Sequence, residues 1–374
     1  MAALGELYIG IMSGTSLDGI DVSICRFGAP PKLELRFHET CSWPEDLRSR
    51  LAVLVSAEEF SVDELTTLNF DLSRVYAASI EGALEESGID RSEIRAIGLH
   101  GQTIRHLPSE SATLQLASGP ALAALTGIDV VHDLRSADVA LGGQGAPLVP
   151  MFDLDFLHSS EKDRLVTNIG GITNVTYIPK SGDRDSVIAY DTGPGNMIID
   201  AVAQMFFGVP YDDEGKKARL GKVNEEFLQK LLDHPYFSQS PPKSTGRELM
   251  QHEFIDRFQP LLNIPDHGHH ALATATELTA RTLAAASNGL GMHVELVLSG
   301  GGAKNTYLVE RIRALLNEGS SVVLSHELGI EEQAKESIAF AYFAKARMEN
   351  MRIHLPKTTG ASRSAILGSI ASGS

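Results

Sequence analysis

Apolar and polar positions along the 374 residues follow two periods in turn. Short runs rich in β-branched residues read as strands: LYIGIM, GIDVSICRF, LELRFHE, IRAIGLHG, ATLQLAS, DVVHDL, RLVTNIGG, NVTYIPK, VIAYDTG and VELVLSGG. Between them lie longer stretches with apolar residues at helical spacing. The best early one covers 62–87, where Leu65, Leu68, Leu72, Val75, Ser79 and Ala83 recur on one face. Later helices are expected at about 271–288, 305–317 and 333–350. Strands alternating with helices indicate an α/β fold.

Two segments share one design. Residues 7–27 read as strand, glycine-flanked turn, strand, because after Gly19 the apolar Ile20, Val22 and Ile24 alternate with Asp21, Ser23 and Cys25. Residues 164–179 repeat that plan about 155 positions later. One glycine hairpin in each half predicts two related lobes facing a cleft. The loop 238–247, SQSPPKSTGR, breaks the pattern with prolines and reads as a mobile surface loop.

Composition narrows the function classes. The 48 acidic against 32 basic residues leave a formal charge of −16, which argues against nucleic acid and anionic membrane surfaces as partners. An anionic small molecule then needs a locally built site. Nine acids and one base, Arg74, fall between Glu58 and Asp90, a charge run that suits a solvated outer face. Cys25 and Cys41 are the only cysteines, too few for a disulfide framework, and no CxxC or Cys/His cluster suggests zinc. The N-terminus lacks a basic segment before an apolar one, and no apolar run approaches the ~18 residues of a membrane span. A cytoplasmic protein is expected.

Four glycine-bearing segments carry candidate chemistry. In Ser13-Gly14-Thr15-Ser16-Leu17-Asp18-Gly19-Ile20-Asp21, glycines let several N–H groups converge on one spot, which suits phosphate oxygens. Thr15 and Ser16 add hydroxyls, and Asp18 and Asp21 suit a metal ion or its water shell. The Gly-Lys-Ser/Thr ending of a Walker loop is missing, and the following residues alternate as a strand rather than opening a Rossmann helix. A plain tight hairpin is the alternative reading. Asn168-Ile169-Gly170-Gly171-Ile172-Thr173-Asn174 is the matching turn of the later half. In Tyr190-Asp191-Thr192-Gly193-Pro194-Gly195-Asn196, a carboxylate at a strand end suits general-base work. Asp191 could instead cap the helix that starts near Met197, although Asn196 is the closer candidate. Ser299-Gly300-Gly301-Gly302-Ala303-Lys304-Asn305 joins a strand to a helix, where a flat ligand can approach the backbone, or where the chain simply crosses over.

Polar clusters flank these segments. They include His100-Gly101-Gln102-Thr103, His132-Asp133-Leu134-Arg135 and Gly142-Gly143-Gln144-Gly145. Arg135 suits a planar carboxylate or phosphate. His100 and His106 read as ordinary hydrogen-bonded histidines. Glu336 starts an apolar helix, either as a dipole partner or as a metal acid.

Together, GIMSGTSLDGID, HGQT, HDLRSADVALGGQGAPLVP, TNIGGITN, YDTGPGN, LSGGGAKN and TTGASRSAILG resemble the anhydro-N-acetylmuramic acid kinase family over essentially the whole chain. The resemblance implies a two-lobed actin-like ATPase (ribonuclease H-like) fold, within the actin/hexokinase/sugar-kinase superfold, with an interlobe active-site cleft for ATP–Mg²⁺ and a sugar. It implies lobe I at 1–135 plus 358–374 and lobe II at 136–357. It makes Gly14, Thr15, Ser16, Leu17, Asp18, Gly19, Ile20 and Asp21 the first phosphate loop. Gly170 and Gly171 become the second, and Gly300, Gly301, Gly302 and Asn305 the adenosine segment. Asp191 would be the catalytic base. Arg135, Thr103, Asn168 and Asn174 would hold the sugar, and Glu336 would lie near the metal. A levoglucosan-type anhydrosugar is an alternative substrate, and a non-catalytic actin-like ATP-binding protein is a reading from another class. A homodimer is expected, with apolar helix faces near 271–288 or 333–350 as its interface.

Overall fold

Strand β1 (Leu7–Met12) is apolar at nearly every position because both of its faces are covered. It pairs with antiparallel β2 (Ile20–Gly28), which pairs in turn with antiparallel β3 (Lys32–Cys41). On its other side β1 pairs with parallel β4 (Ile94–Leu99), followed by parallel β7 (Val130–His132) and antiparallel β13 (Ser369–Ala371). Strands β5 (Gln102–Leu107) and β6 (Ala112–Leu116) form a separate hairpin. The computed structural model describes residues 6–28, 32–57, 59–107, 110–241, 243–245, 251–264, 266–291 and 293–373. The expected loop 238–247 lies partly outside them, at 242, 246 and 247.

A second sheet has the order β10-β9-β8-β11-β12. Its strands are β8 (Asp163–Ile169), β9 (Ile172–Ile178), β10 (Ile188–Pro194), β11 (Val294–Ser299) and β12 (Ser321–Leu324). Strands β8, β9 and β10 are antiparallel neighbours, and β11 and β12 continue parallel to β8. The order β3-β2-β1-β4-β7 in the first sheet has the same plan. The duplicated hairpin in the sequence thus marks a duplicated sheet.

The chain divides into Met1–Phe156 with Ala334–Ser374, and Leu157–Gln333. Residues 136–156 and 334–357, which the sequence assigned to the second lobe, belong to the first. The reason is packing. Helix Lys335–Met348 seats on β1 and β4, where a Cβ at Gly10 would lie 1.7 Å from Ser337 O and one at Gly98 would lie 1.9 Å from Phe340 O. Lys335 also pairs with the buried Asp153 at 2.8 Å.

On the opposite face of that sheet, Ile9, Ile11, Val22 and Ile24 share a core with Leu68, Leu72, Tyr76 and Ile80 of helix Val62–Ser87. Ser61 caps this helix by accepting from Asp63 N, and Gly88 ends it at φ 66°. In the second unit, helix His267–Asn288 buries Leu278 and Leu283 against its own sheet and neighbours. Neither this helix nor Lys335–Met348 offers the apolar interface face expected of it, since each is covered by its own unit.

Candidate active site

The turn between β1 and β2 is fastened from behind. Tyr76 donates its hydroxyl to Ser13 Oγ (2.6 Å), because Ser13 spends its one proton on Gln102 Oε1 (2.8 Å). Gln102 Nε2 donates to Gly14 O (3.2 Å), and Leu17 N donates to the same carbonyl (3.3 Å). Leu17 sits at φ 55°, a left-handed backbone that costs a leucine on the order of 1 kcal/mol or more. Its side chain is held in the core, as is that of Ile20. The side chains of Leu17 and Ile20 are thus taken up by the core, which leaves their backbone groups as what they offer to the turn. Thr15, Ser16 and Asp18 are exposed and Gly14 is partly so. Gly19 presses on Thr40, whose Cγ2 would lie 2.4 Å from an added Cβ. Asp21 accepts from Thr40 Oγ1 (2.6 Å).

Three acids share this end of the unit. Burial pushes the Glu336 carboxyl above its usual range, with Asp21 and Asp18 adding to the rise and Lys335 and Arg135 opposing it. Burial also raises Asp21. Among the described residues, no group of three or more His, Cys, Asp or Glu side chains stands close enough to hold a metal by itself. A magnesium ion does not need such a cage, because it keeps waters and takes one or two carboxylates plus phosphate oxygens. The acids fit that mode.

Arg135 donates to Gly145 O (2.6 Å) and to His100 Nε2 (2.8 Å), and its Nε is buried without a hydrogen-bond partner. Burial pushes its pKa down to about 10 against the pull of Glu336 and Asp138, so it stays cationic at neutral pH. Thr103, beside a bulge in β5, accepts from Gln115 Nε2 (3.2 Å).

In the second unit, Asn168 pairs with Asn174, and Asn174 with Asp191, so three polar side chains form a row across β8, β9 and β10. The Asp191 backbone is gripped twice, by N–H donation to Lys243 O (3.0 Å) and by acceptance from the Tyr236 hydroxyl (2.7 Å). Its Oδ2 accepts from Thr245 N (2.9 Å). Burial raises the Asp191 pKa and the Thr245 bond opposes the rise, which leaves a carboxylate more basic than usual. Residues 243–245, expected to be a mobile surface loop, instead clasp this strand. No local pattern announces Tyr236, Lys243 or Thr245 as partners of Asp191, because each is more than 40 positions away.

The glycine segments of this unit meet one another. Gly170 O accepts from Asn196 N (2.7 Å), and Gly171 O from Gly195 N (2.9 Å) and Met197 N (3.1 Å). Gly300, at φ 81°, leaves room for Asn168 Oδ1, which would lie 2.4 Å from a Cβ there. A Cβ at Gly302 would meet Ile169 Cγ2 at 2.2 Å, whereas Gly301 is exposed. Asn305 accepts from Leu308 N (3.0 Å) and caps helix Thr306–Leu315, a structural job the adenosine assignment leaves out. Neither Asp191 nor Asn196 caps helix Asn196–Phe207. Gly195 holds the cap position, and Asn196 Nδ2 donates to Ile169 O (3.2 Å).

The family described as anhydro-N-acetylmuramic acid kinase matches residues 6–373. The chain is 44% identical over 368 residues to the anhydro-N-acetylmuramic acid kinase of Nitrosomonas europaea, covering 97% of this chain and 99% of that one. It is 41% identical over 369 residues to the protein of that name from Shewanella loihica, covering 97% and 98%. For the Saccharophagus degradans protein of that name, identity is 41% over 371 residues, covering 98% of each. Among solved structures, the ADPNP-bound activator of 2-hydroxyisocaproyl-CoA dehydratase from Clostridium difficile is 14% identical with a TM-score of 0.46, covering 92% and 97%. A likeness that distant carries no argument about chemistry.

Proposed function

The chain belongs to the anhydro-N-acetylmuramic acid kinase family, and from that premise we propose how its residues divide the work. It is an ATP-dependent kinase for anhydro-N-acetylmuramic acid. A levoglucosan-type substrate is not favoured, since the relatives carry the amino-sugar name.

The substrate dictates an unusual reaction. Its O6 is tied to C1 in an intramolecular acetal, so no free 6-hydroxyl exists and phosphorylation must accompany ring cleavage. Asp191 takes one proton from a water whose oxygen bonds to C1. The C1–O6 bond breaks, O6 takes the γ-phosphoryl group of ATP, and the bond between that group and the β-phosphate oxygen breaks. The second water proton stays on the new C1 hydroxyl. N-acetylmuramic acid 6-phosphate and ADP result. The observation that carries this reading is the setting of Asp191, a half-buried carboxylate with raised basicity, held by one backbone donor in the middle of β10 rather than at the strand end expected from sequence.

Backbone N–H groups of Gly14–Asp21, the Thr15 and Ser16 hydroxyls, and the Gly170–Gly171 turn bind the phosphates. Gly300–Gly302 give the adenosine a flat backbone surface, with Asn305 ending that segment. Arg135, Thr103, Asn168 and Asn174 orient the sugar. Asp18, Asp21 and Glu336 would hold Mg²⁺, directly or through water. Bound there, the ion neutralises charge on the transferring phosphoryl group. We place the reaction in the cytoplasm, where ATP is at hand, and take the enzyme as a homodimer, which its mass in solution checks.

Turnover in ¹⁸O-water tests the chemistry. The label should appear at C1 of the sugar, with ADP released only when the sugar is present. Label in the phosphate group would sink the ring-opening reading.

A further inference from the structure

A continuous line of buried and part-buried hydrogen bonds runs through the first unit and is not accounted for by the roles above. Ser13 O meets His100 Nδ1 (3.2 Å), and His100 Nε2 meets Arg135 Nη2 (2.8 Å). Arg135 Nη1 donates to Gly145 O (2.6 Å), and Gly145 N donates to Asp138 Oδ2 (2.6 Å). Asp138 Oδ1 accepts from His354 Nε2 (2.6 Å) and from the Thr359 hydroxyl. Ala365 N closes the line on His354 Nδ1 (3.1 Å).

The donors settle both tautomers. A guanidinium only donates, so His100 Nε2 carries the lone pair and Nδ1–H donates to Ser13 O. Ala365 N–H likewise makes His354 Nδ1 the acceptor, leaving Nε2–H for Asp138. The His100 ring has no slack. Its backbone N–H is bound to Ile11 O (3.1 Å), Phe340 packs against it with ring centroids 4.9 Å apart, and Gly101 turns at φ 76° directly after it. Burial and the neighbouring Arg135 push the His100 pKa down to about 3, so the ring stays neutral at any working pH.

We propose that His100 is a positioning residue that couples the nucleotide loop at Ser13–Gly14 to the sugar-binding Arg135, so that occupancy of either favours the other. This rests on the site assignment above. A rigid ring bonded at opposite nitrogens transmits a shift of the Ser13 peptide to the guanidinium, and the reverse. Asp138 backs the far end by fixing Gly145, the other acceptor of Arg135. Gln102 holds Ser13 and Gly14 independently, so the loop keeps its turn when His100 changes.

The test is calorimetric titration of the sugar with and without a non-hydrolysable ATP analogue, and of the analogue with and without the sugar. In the unaltered protein each ligand should tighten the other by at least about 5-fold. His100→Asn keeps an amide donor near Nδ1 but loses the acceptor for Arg135, so sugar affinity should fall and coupling vanish. His100→Gln places an acceptor near Nε2 but loses the bond to Ser13, so nucleotide affinity should fall and coupling vanish. Arg135→Lys serves if either variant fails to fold, and it should abolish coupling while weakening the sugar. Coupling retained in the variants, or absent from the unaltered protein, overturns the proposal. So does an equal loss of both affinities that tracks a lower Tm, which marks a merely structural histidine. If Arg135→Lys leaves sugar affinity intact, the site assignment has failed instead.

Discussion

Gly10 on β1 lies directly opposite Gly98 on β4, and helix Lys335–Met348 rests its backbone on both. Two absent side chains thus set the depth of that helix against the sheet, and with it the position of Glu336 in its first turn. The same helix brings Phe340 onto the His100 ring. A close approach of this kind cannot relax locally, because the atoms in the way belong to backbone.

Gly98→Ala should therefore destabilise the protein by about 3 kcal/mol or more, the upper end for overpacking. Thermal unfolding should fall by roughly 10 °C for a unit of this size. A shift within about 2 °C would mean that the helix has room to move.

Asp191→Asn should lower kcat by about 10²–10⁴-fold, while ATP still binds. As the proposed base, Asp191 has to work ionised, so activity should fall as pH drops through its pKa. Because burial raises that pKa, the acid limb should lie above the ordinary carboxylate range. Stability moves the other way. A raised folded pKa makes the ionised carboxylate a cost to folding above the unfolded pKa, and Asn can still accept from Thr245 N. Tm at neutral pH should hold or rise slightly. A loss of an order of magnitude or less in kcat would put the base elsewhere.

Glu336→Gln should raise the Mg²⁺ concentration needed for half-maximal rate by about 10-fold, with little change in sugar affinity. Burial and the repulsion of two other acids raise the Glu336 pKa, so its ionised form is a cost to folding. Neutralising it should leave Tm unchanged or higher. An unchanged Mg²⁺ requirement would assign Glu336 to the helix terminus alone.

Long periodic segments were legible from residues alone. Helix 62–87 begins and ends as its pattern predicts, although the buried stripe runs through Tyr76 and Ile80 rather than Val75 and Ser79. A helical residue covers the turn before its own Cα, so neighbouring positions compete for the same groove. The short helix Gly119–Thr126 and the short strands β12 and β13 carried too few positions to show a period. His100 read as an ordinary histidine, because a ring bridging Ser13 and Arg135 looks no different in sequence from one bonded to water.

Sequence alone determined the alternation of strands and helices, the paired glycine turns, the strand that carries Asp191 and the motifs of the kinase family. These depend on local periodicity and on residue types at fixed spacing. Tertiary structure decided where the chain divides, which carbonyls and donors hold Asp191, which tautomer His100 adopts, and which loop residues turn inward. Each of those depends on contacts between distant segments, such as Asp138 with His354 or Asp191 with Thr245. No local pattern encodes them, because their free energy exists only once the chain has closed those distances.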